Sequence, residues 1–296
     1  MTSGVDEATE KIRSMQIRGA LDIGIAAAET LKNVVDSTDA KNLISELEDA
    51  GLKLKSARPS AISLPNSVDY VIYLANKIRD KEELSEKIQE FIDDLRNSIN
   101  TIAEIGSNLI NDGDVILTHC QSDTVGEILK KAWDDGRKIN VICTETRPRN
   151  QGYLTAKKLS GHGIPTTLIV DSAAYFIMKE QRVNKVIVGA DTIKASGDVI
   201  NKIGTSQIAL CAHSMNIPVI VAAESIKFSP QSIYGKFVKI EERSEDEVAD
   251  IPGVKIRNPA FDVTPSEHLD MIVTEHGIIN PIDARSFIMD KFDWKF

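Results

Sequence analysis

The sequence predicts an α/β chain in which an antiparallel helical domain over residues 1–111 precedes a parallel-sheet domain over residues 112–296. Two patterns carry this. Across the first hundred or so residues, apolar side chains recur at helical intervals. After Asn111-Asp112-Gly113-Asp114 the rhythm changes to short β-branched runs separated by helical stretches. Near-continuous apolar strands alternating with helices indicate parallel strands covered on both faces.

In chain order, Ile12, Met15, Ile17, Ala20, Ile23, Ile25, Ala28 and Leu31 mark one helical run from Glu7 to Val35. A second segment covers Ala40–Ala50, and Ser56–Leu64 reads as the longest irregular connection of this half. Leu64-Pro65-Asn66-Ser67 reads as a turn capping a helix over Val68–Ile78. Lys81–Ile110 is the longest helical pattern, with Ile88, Phe91, Ile92, Leu95, Ile99, Ile102 and Ile105 as its stripe. The strands follow at Val115–Leu117, Asn140–Cys143, Thr166–Val170, Lys185–Val188, Pro218–Ala222 and Met271–Thr274. Stretches such as Thr124–Trp133 and Gly152–Leu159 are long enough for crossover helices. Phe228–Pro259 is irregular and acidic, a surface excursion.

Composition narrows the function classes. Hydrophobic residues are 42% and charged residues 27% of the chain, ordinary for a globular protein with a real core. The polar N-terminus lacks a signal-peptide pattern, and no apolar run is long enough to span a bilayer, so a cytoplasmic protein without membrane contact is expected. A net charge of −9 disfavours nucleic acid as a partner. It leaves room for an anionic small substrate, because charges beyond about 8 Å are mostly screened at physiological salt. Cys120, Cys143 and Cys211 have no disulfide-like or metal-like spacing, so reduced thiols and no metal site are expected. Neither dinucleotide nor P-loop glycine patterns occur, which disfavours NAD and ATP as reactants.

Ligands of open parallel sheets collect at the carboxyl ends of the strands. The residues there are polar after every run: Thr118 to Thr124, Thr144 to Arg149, Asp171 to Ala174, Gly189 to Asp191, Glu224 to Lys227, and Thr274-Glu275. Ser, Thr and Asp at such places are also ordinary helix N-caps, and Asp123 or Ser172 alone fits that role. Cys120 is less easily explained, since it sits among His119, Gln121, Ser122 and Asp123 rather than in an apolar run. Asp191 precedes a stretch, Thr192–Asp198, that reads as an irregular loop rather than a helix, so capping does not account for it. Asn201-Lys202-Ile203-Gly204-Thr205 leads into an apolar helix whose N-terminus could hold phosphate, with Lys202 as counter-charge. An ordinary helix start explains it equally well. Arg18, Arg58, Arg147 and Lys227 are the other cations near these loops, each singly compatible with a surface ion pair.

The stretches IRGA (17–20), RPSAISLPN (58–66), THCQSD (118–123), TETRPRNQG (144–152), GADTI with NKIGT (189–205), VAAESIKF (221–228) and NPAFDVTP (258–265) together resemble one superfamily. It holds the archaeal ribose-1,5-bisphosphate isomerases, the methylthioribose-1-phosphate isomerases, and the alpha, beta and delta subunits of translation initiation factor 2B. The resemblance implies a helical domain followed by a Rossmann-like domain, assembled as homo-oligomers, dimers or hexamers. Its isomerase branch keeps a Cys after the first strand and an Asp in the GAD loop, which map to Cys120 and Asp191 as catalytic residues. VAAESIKFSP and NPAFDVTP look most like the bisphosphate branch.

The resemblance then implies an aldose–ketose isomerase, an intramolecular oxidoreductase acting on a sugar bisphosphate of AMP salvage. Substrate contacts map to Arg18, Gly19, Ala20, Arg58, Ser122, Asp123, Thr124, Arg147, Asn201, Lys202 and Lys227. No cofactor is implied; AMP is implied as an activator, though no residue pattern here carries it. Asp191 is expected to be buried and neutral, and Cys120 to be a thiolate of lowered pKa beside cations. The stretch Gln121–Thr124 departs from the bisphosphate pattern, since Asp123 repels phosphate unless it points away or caps a helix. A methylthioribose-1-phosphate isomerase and a non-catalytic regulatory subunit stay open as alternatives.

Overall fold

The computed structural model describes residues 2–39, 42–58, 61–235 and 240–296. They form two compact units: Met1–Ser98 with Ile226–Phe228 and Met289–Phe296, and Ile99–Ser225 with Ser229–Ile288. The division thus falls within the long fifth helix rather than at residue 111, and two short pieces from later in the chain count with the helical half. Ala40, Pro59, Ser60 and residues 236–239, which belong to stretches singled out above, lie outside the described residues.

The first unit is built from α1 (Thr2–Arg13), α2 (Ala20–Ser37), α3 (Leu43–Ala57), α4 (Ser63–Lys77) and the N-terminal part of α5 (Lys81–Ser107). α4 packs on α2 and α3, and α1 on α3. Ile12, Leu31, Leu47, Leu54, Leu64, Val68, Leu84 and Ile88 supply a fully buried core from the helical stripes. Three expectations need correction. The run from Glu7 to Val35 is two helices, broken where Met15 takes a left-handed φ of 61° and accepts a hydrogen bond from Arg18 Nε at 2.8 Å. Leu64-Pro65-Asn66-Ser67 is no turn but the start of α4, where proline is tolerated because first-turn N–H groups have no intrahelical acceptor. The connection expected over Ser56–Leu64 shrinks accordingly, since α3 continues to Ala57 and α4 begins at Ser63.

The strands of the second unit are β1 (Val115–Thr118), β2 (Asn140–Thr144), β3 (Thr166–Ile169), β4 (Lys185–Val188), β5 (Thr192–Ile193), β6 (Val199–Lys202), β7 (Val219–Ala222), β8 (Phe261–Thr264), β9 (Met271–Thr274) and β10 (Gly277–Ile279). Between and after them run α6 (Asp123–Asp134), α7 (Gln151–Gly161), α8 (Ala174–Glu180), α9 (Thr205–Ser214) and α10 (Ala284–Lys291). The main sheet has the order β10-β9-β7-β4-β1-β2-β3, parallel except for β10. Every residue of β7 is buried, as its unbroken apolar run requires, whereas the edge strand β3 leaves Leu168 exposed. Chain order reverses between β1 and β4, so the switch point of the sheet lies where the loops after these two neighbours emerge.

A second, three-stranded antiparallel sheet, β5-β6-β8, was not expected. The stretch after Asp191 is a hairpin, with Thr192 opposite Ile200, not an irregular loop. Asn201 and Lys202 are strand residues facing Asp262 and Phe261 of β8. Strands of two to four residues carry too little periodicity to separate from loop by sequence alone.

Candidate active site

Cys120 and Asp191 follow the paired strands β1 and β4. The two loops meet closely: a Cβ on Gly189 would stand 2.8 Å from Ser122 Oγ, so only glycine fits there. Cys120 itself holds a left-handed φ of 67°, a conformation that costs energy for a residue with a side chain. Its backbone is fixed on both sides. The N–H donates to Thr146 Oγ1 at 2.9 Å, and the carbonyl accepts from Thr155 Oγ1 at 2.8 Å. Thr146 is held in turn, because Asp171 at the end of β3 accepts the N–H groups of Thr146 and Arg147, both at 2.7 Å.

His119 ties this loop to the β6–α9 connection. Its imidazole is buried between Thr144 Oγ1 at 2.6 Å and the Ile203 carbonyl at 2.9 Å. A carbonyl can only accept, so Nε2 carries the proton and Nδ1 accepts from the Thr144 hydroxyl. Burial holds the ring neutral by lowering its pKa, against the opposing effect of the Ile203 hydrogen bond. The ring packs on Gly204, where an added Cβ would lie 3.1 Å from Nε2.

Lys202 reaches the same place from β6. It is 7% exposed, with its ammonium 4.9 Å from the Phe261 ring centroid. Burial lowers its pKa, while the Cys120 and Asp191 groups nearby act to raise it. Cys120 shows the converse. Burial of the thiol pushes its pKa up to about 11, with the Lys202 charge as the main opposing influence. The expectation of a lowered thiol pKa is therefore corrected: desolvation outweighs the neighbouring cation, and the thiol is protonated at neutral pH. Asp191 is half-buried rather than sealed in, and its N–H donates to the Ile200 carbonyl at 3.0 Å. Asn201 is buried and donates from Nδ2 to Thr205 Oγ1 at 3.0 Å.

Other candidates sit differently from what the sequence suggested. The N-terminus of α9 is not open to phosphate, because the Asp262 carboxylate fills it, accepting from Gly204 N at 2.7 Å, Ser206 N at 3.2 Å and Ser206 Oγ at 2.8 Å. Asp123 points to the surface and pairs with Lys158 at 2.7 Å, so it carries no repulsion into the pocket. Ser122 is the α6 N-cap, accepting from Val125 N at 3.3 Å. The buried Thr124 hydroxyl is engaged by Glu224. Arg147 is exposed, and its guanidinium donates to the Val248 carbonyl at 3.2 Å.

Arg18, Gly19, Ala20, Arg58 and Lys227 belong to the helical unit. There Arg58 donates to the Arg18 carbonyl at 3.0 Å, and Gly19 is the N-cap residue of α2. Lys227 is buried. Sequence reasoning missed His119, Asp171, Asp262 and Arg243. The last lies in the acidic excursion, is held by Glu241 at 3.2 Å, and is a cation with its side chain 8% exposed, felt by Lys202. Among the described residues no cluster of His, Cys, Asp and Glu could hold a metal ion.

A parallel sheet whose switch point gathers a thiol, a carboxylate and a buried ammonium is the frame of a small-molecule enzyme rather than of a binding scaffold. The sequence profile of the initiation factor 2 subunit family matches residues 16–281, and the chain belongs to that family. It is 48% identical to the ribose 1,5-bisphosphate isomerase of Methanocaldococcus jannaschii, over 98% of this chain and 96% of that protein. To the methylthioribose-1-phosphate isomerase of Acetivibrio thermocellus it is 39% identical, over 93% of this chain and 88% of that protein. Among solved structures, the Pyrococcus horikoshii translation initiation factor eIF-2B superposes with a TM-score of 0.82 at 33% identity, covering 94% of this chain and 98% of that one.

Proposed function

We propose that this protein is a ribose 1,5-bisphosphate isomerase yielding ribulose 1,5-bisphosphate in nucleoside phosphate salvage. The observation that carries the reading is the convergence of Cys120, Asp191 and Lys202 at the β1/β4 switch point. The 48% identity to a bisphosphate isomerase, against 39% to a methylthioribose-1-phosphate isomerase, supports this substrate over its thioether counterpart.

The reaction balances with two residues. The Cys120 thiolate takes the C2 proton, and that C–H electron pair becomes the C1=C2 double bond. The C1–ring oxygen bond breaks as Asp191 gives that oxygen a proton. In the enol so formed, the Cys120 thiol returns a proton to C1 while the C2 hydroxyl gives its proton to Asp191, leaving a ketone at C2. Each residue ends as it began, and no external oxidant or cofactor is consumed. Asn201 and Lys202 hold the substrate's phosphate or hydroxyl groups beside this pair. Arg18, Gly19, Ala20, Arg58 and Lys227 are substrate contacts on the strength of the resemblance. The side chains of Ser122, Asp123, Thr124 and Arg147 are engaged with the other partners described above.

The high thiol pKa gives a signature. A base of pKa about 11 is strong once formed but scarce at neutral pH. In the wild type the same step also needs the Asp191 carboxyl protonated, so the thiolate is isolated in Asp191→Asn, whose residual kcat/KM should climb with pH from 7 towards 10 at close to tenfold per unit. A flat profile of that variant over this range removes Cys120 as the proton-abstracting base.

The direct test is incubation with ribose 1,5-bisphosphate, with and without AMP, followed by product analysis. Ribulose 1,5-bisphosphate is the expected product, with kcat/KM at least about a hundredfold above that for methylthioribose 1-phosphate, since a pocket built for a charged group leaves its cations unpaired with an apolar one. The reverse preference overturns the assignment. We further propose a cytoplasmic homo-oligomer. No described helix is long and apolar enough to cross a membrane. Leu168 and Val170 at the β3 edge and Tyr175 and Phe176 on α8 are exposed, and apolar side chains of this kind are what a second copy would cover.

A further inference from the structure

Asn66, in the first turns of α4, is fully buried, and its amide is fully used. Both Nδ2 hydrogens are donated to backbone carbonyls, Ile226 O at 2.8 Å and Phe228 O at 2.8 Å. These two carbonyls flank Lys227. On its other side, Asn66 Oδ1 accepts from Lys295 Nζ at 2.9 Å. An amide can be flipped end for end, but here an ammonium, which only donates, faces one end and two carbonyls, which only accept, face the other. Lys295 therefore sets the orientation in which Asn66 can grip the segment.

Lys295 is itself well held. Its ammonium also donates to Asp69 Oδ2 at 3.0 Å, and Asp69 pairs with Lys55. The neighbouring Trp294 ring lies 5.1 Å from Tyr70 and 5.8 Å from Tyr73, both on α4. Residues Ile226–Phe228 count with the helical unit although the chain on either side of them does not. The Asn66 clamp is a polar part of what holds them there, alongside the fully buried Phe228.

We propose that Asn66 is a positioning residue for Lys227, and that Lys295 makes the segment Met289–Phe296 part of the substrate-binding apparatus by fixing the Asn66 amide. The proposal rests on Lys227 being a substrate contact. A lysine side chain is long and rotamer-rich, so its usefulness to a bound phosphate depends on how firmly its own backbone is placed. Pinning the carbonyls on both sides fixes the point from which the stem extends.

The test is a mutant cycle on the full-length protein, read as KM and kcat for ribose 1,5-bisphosphate. Asn66→Asp preserves volume but turns a carboxylate oxygen towards two carbonyls. It should raise KM by about tenfold while kcat changes less than about threefold, the pattern of lost substrate binding rather than lost chemistry. Lys227→Met should raise KM at least as much, and the double variant should be no worse than Lys227→Met alone, because the clamp has nothing left to position. Lys295→Met should give a smaller rise of the same kind, about threefold, restored by Lys295→Arg. It also carries the test should Asn66→Asp fail to fold.

If Lys227→Met raises KM while Asn66→Asp and Lys295→Met leave it at the wild-type value, the positioning role is overturned and the Lys227 assignment survives. The same role is overturned if either variant raises KM by an equal factor in the Lys227→Met background, which is what a purely structural clamp gives. If Lys227→Met itself binds substrate normally, the assignment of Lys227 fails, and this proposal with it.

Discussion

Cys120→Ser is expected to lower kcat by about 10³ or more while leaving the fold intact, since general acid and base groups typically each contribute 10² to 10⁴ in rate. The substitution is nearly isosteric, and the thiol makes no structural hydrogen bond to another side chain among those described; what holds residue 120 is its backbone, through Thr146 and Thr155. A serine hydroxyl in that position is far too weak an acid to supply the alkoxide, so the base is lost without the scaffold. Asp191→Asn should cost a similar factor, because the amide can neither protonate the ring oxygen nor take the C2 hydroxyl proton. The two losses should not add. Once either partner is gone the concerted transfer is gone, so the double variant should resemble the worse single one. Near-normal turnover of either single variant, measured with unchanged far-UV circular dichroism, would falsify the assigned role. The pH profile adds an independent handle: the alkaline rise of kcat/KM belongs to Cys120, so it is read in Asp191→Asn, where the carboxyl is gone, and the double variant should lose it.

Much of this frame was legible in the residues. The strands Lys185–Val188 and Met271–Thr274 have the expected bounds, because an unbroken β-branched run flanked by polar residues reads the same way in sequence and in space. That Cys120 and Asp191 stand at strand ends followed from where their apolar runs stop, whereas the pairing of β1 with β4 that makes those ends neighbours is a property of the folded sheet. What stayed hidden depended on partners distant in sequence. Asp262 is 58 residues from Gly204, whose N–H it accepts, and nothing local to α9 announces that a carboxylate already occupies its N-terminus. The His119 ring bonds to Ile203, 84 residues on, so its neighbours in sequence say only that it is not a zinc ligand. Arg243 sits among acidic residues and reads as solvated, yet pairing of Glu242 with Pro259 draws that segment alongside the start of β8. The sign of the Cys120 shift shows the same limit. Cations nearby were foreseeable from composition, but the depth of burial that outweighs them is a property of the folded loop.

Gly152→Ala should be the most damaging single methyl in the second unit. Gly152 opens α7 directly beneath the end of β2, where an added Cβ would lie 1.7 Å from the Thr144 carbonyl oxygen and 2.8 Å from its carbon. Both are backbone atoms of a central strand, so no side chain can swing aside. Either α7 or the Thr144–Thr146 turn must shift, and that turn supplies the hydroxyls that hold His119 and the Cys120 N–H. Overpacking of this kind costs typically 1–3 kcal/mol and more where backbone is met, so a loss of about 3 kcal/mol or more is expected from urea unfolding, with activity falling beyond what the folded fraction accounts for. Gly126→Ala is the matched control. Gly126 lies within α6 with nothing near the position of a Cβ, so alanine there should stabilise by about 0.5–1 kcal/mol through the unfolded chain and helix propensity. If both variants unfold at the wild-type urea midpoint, the close seat of α7 against β2, and with it the route by which the strand end fixes the thiol, is wrong.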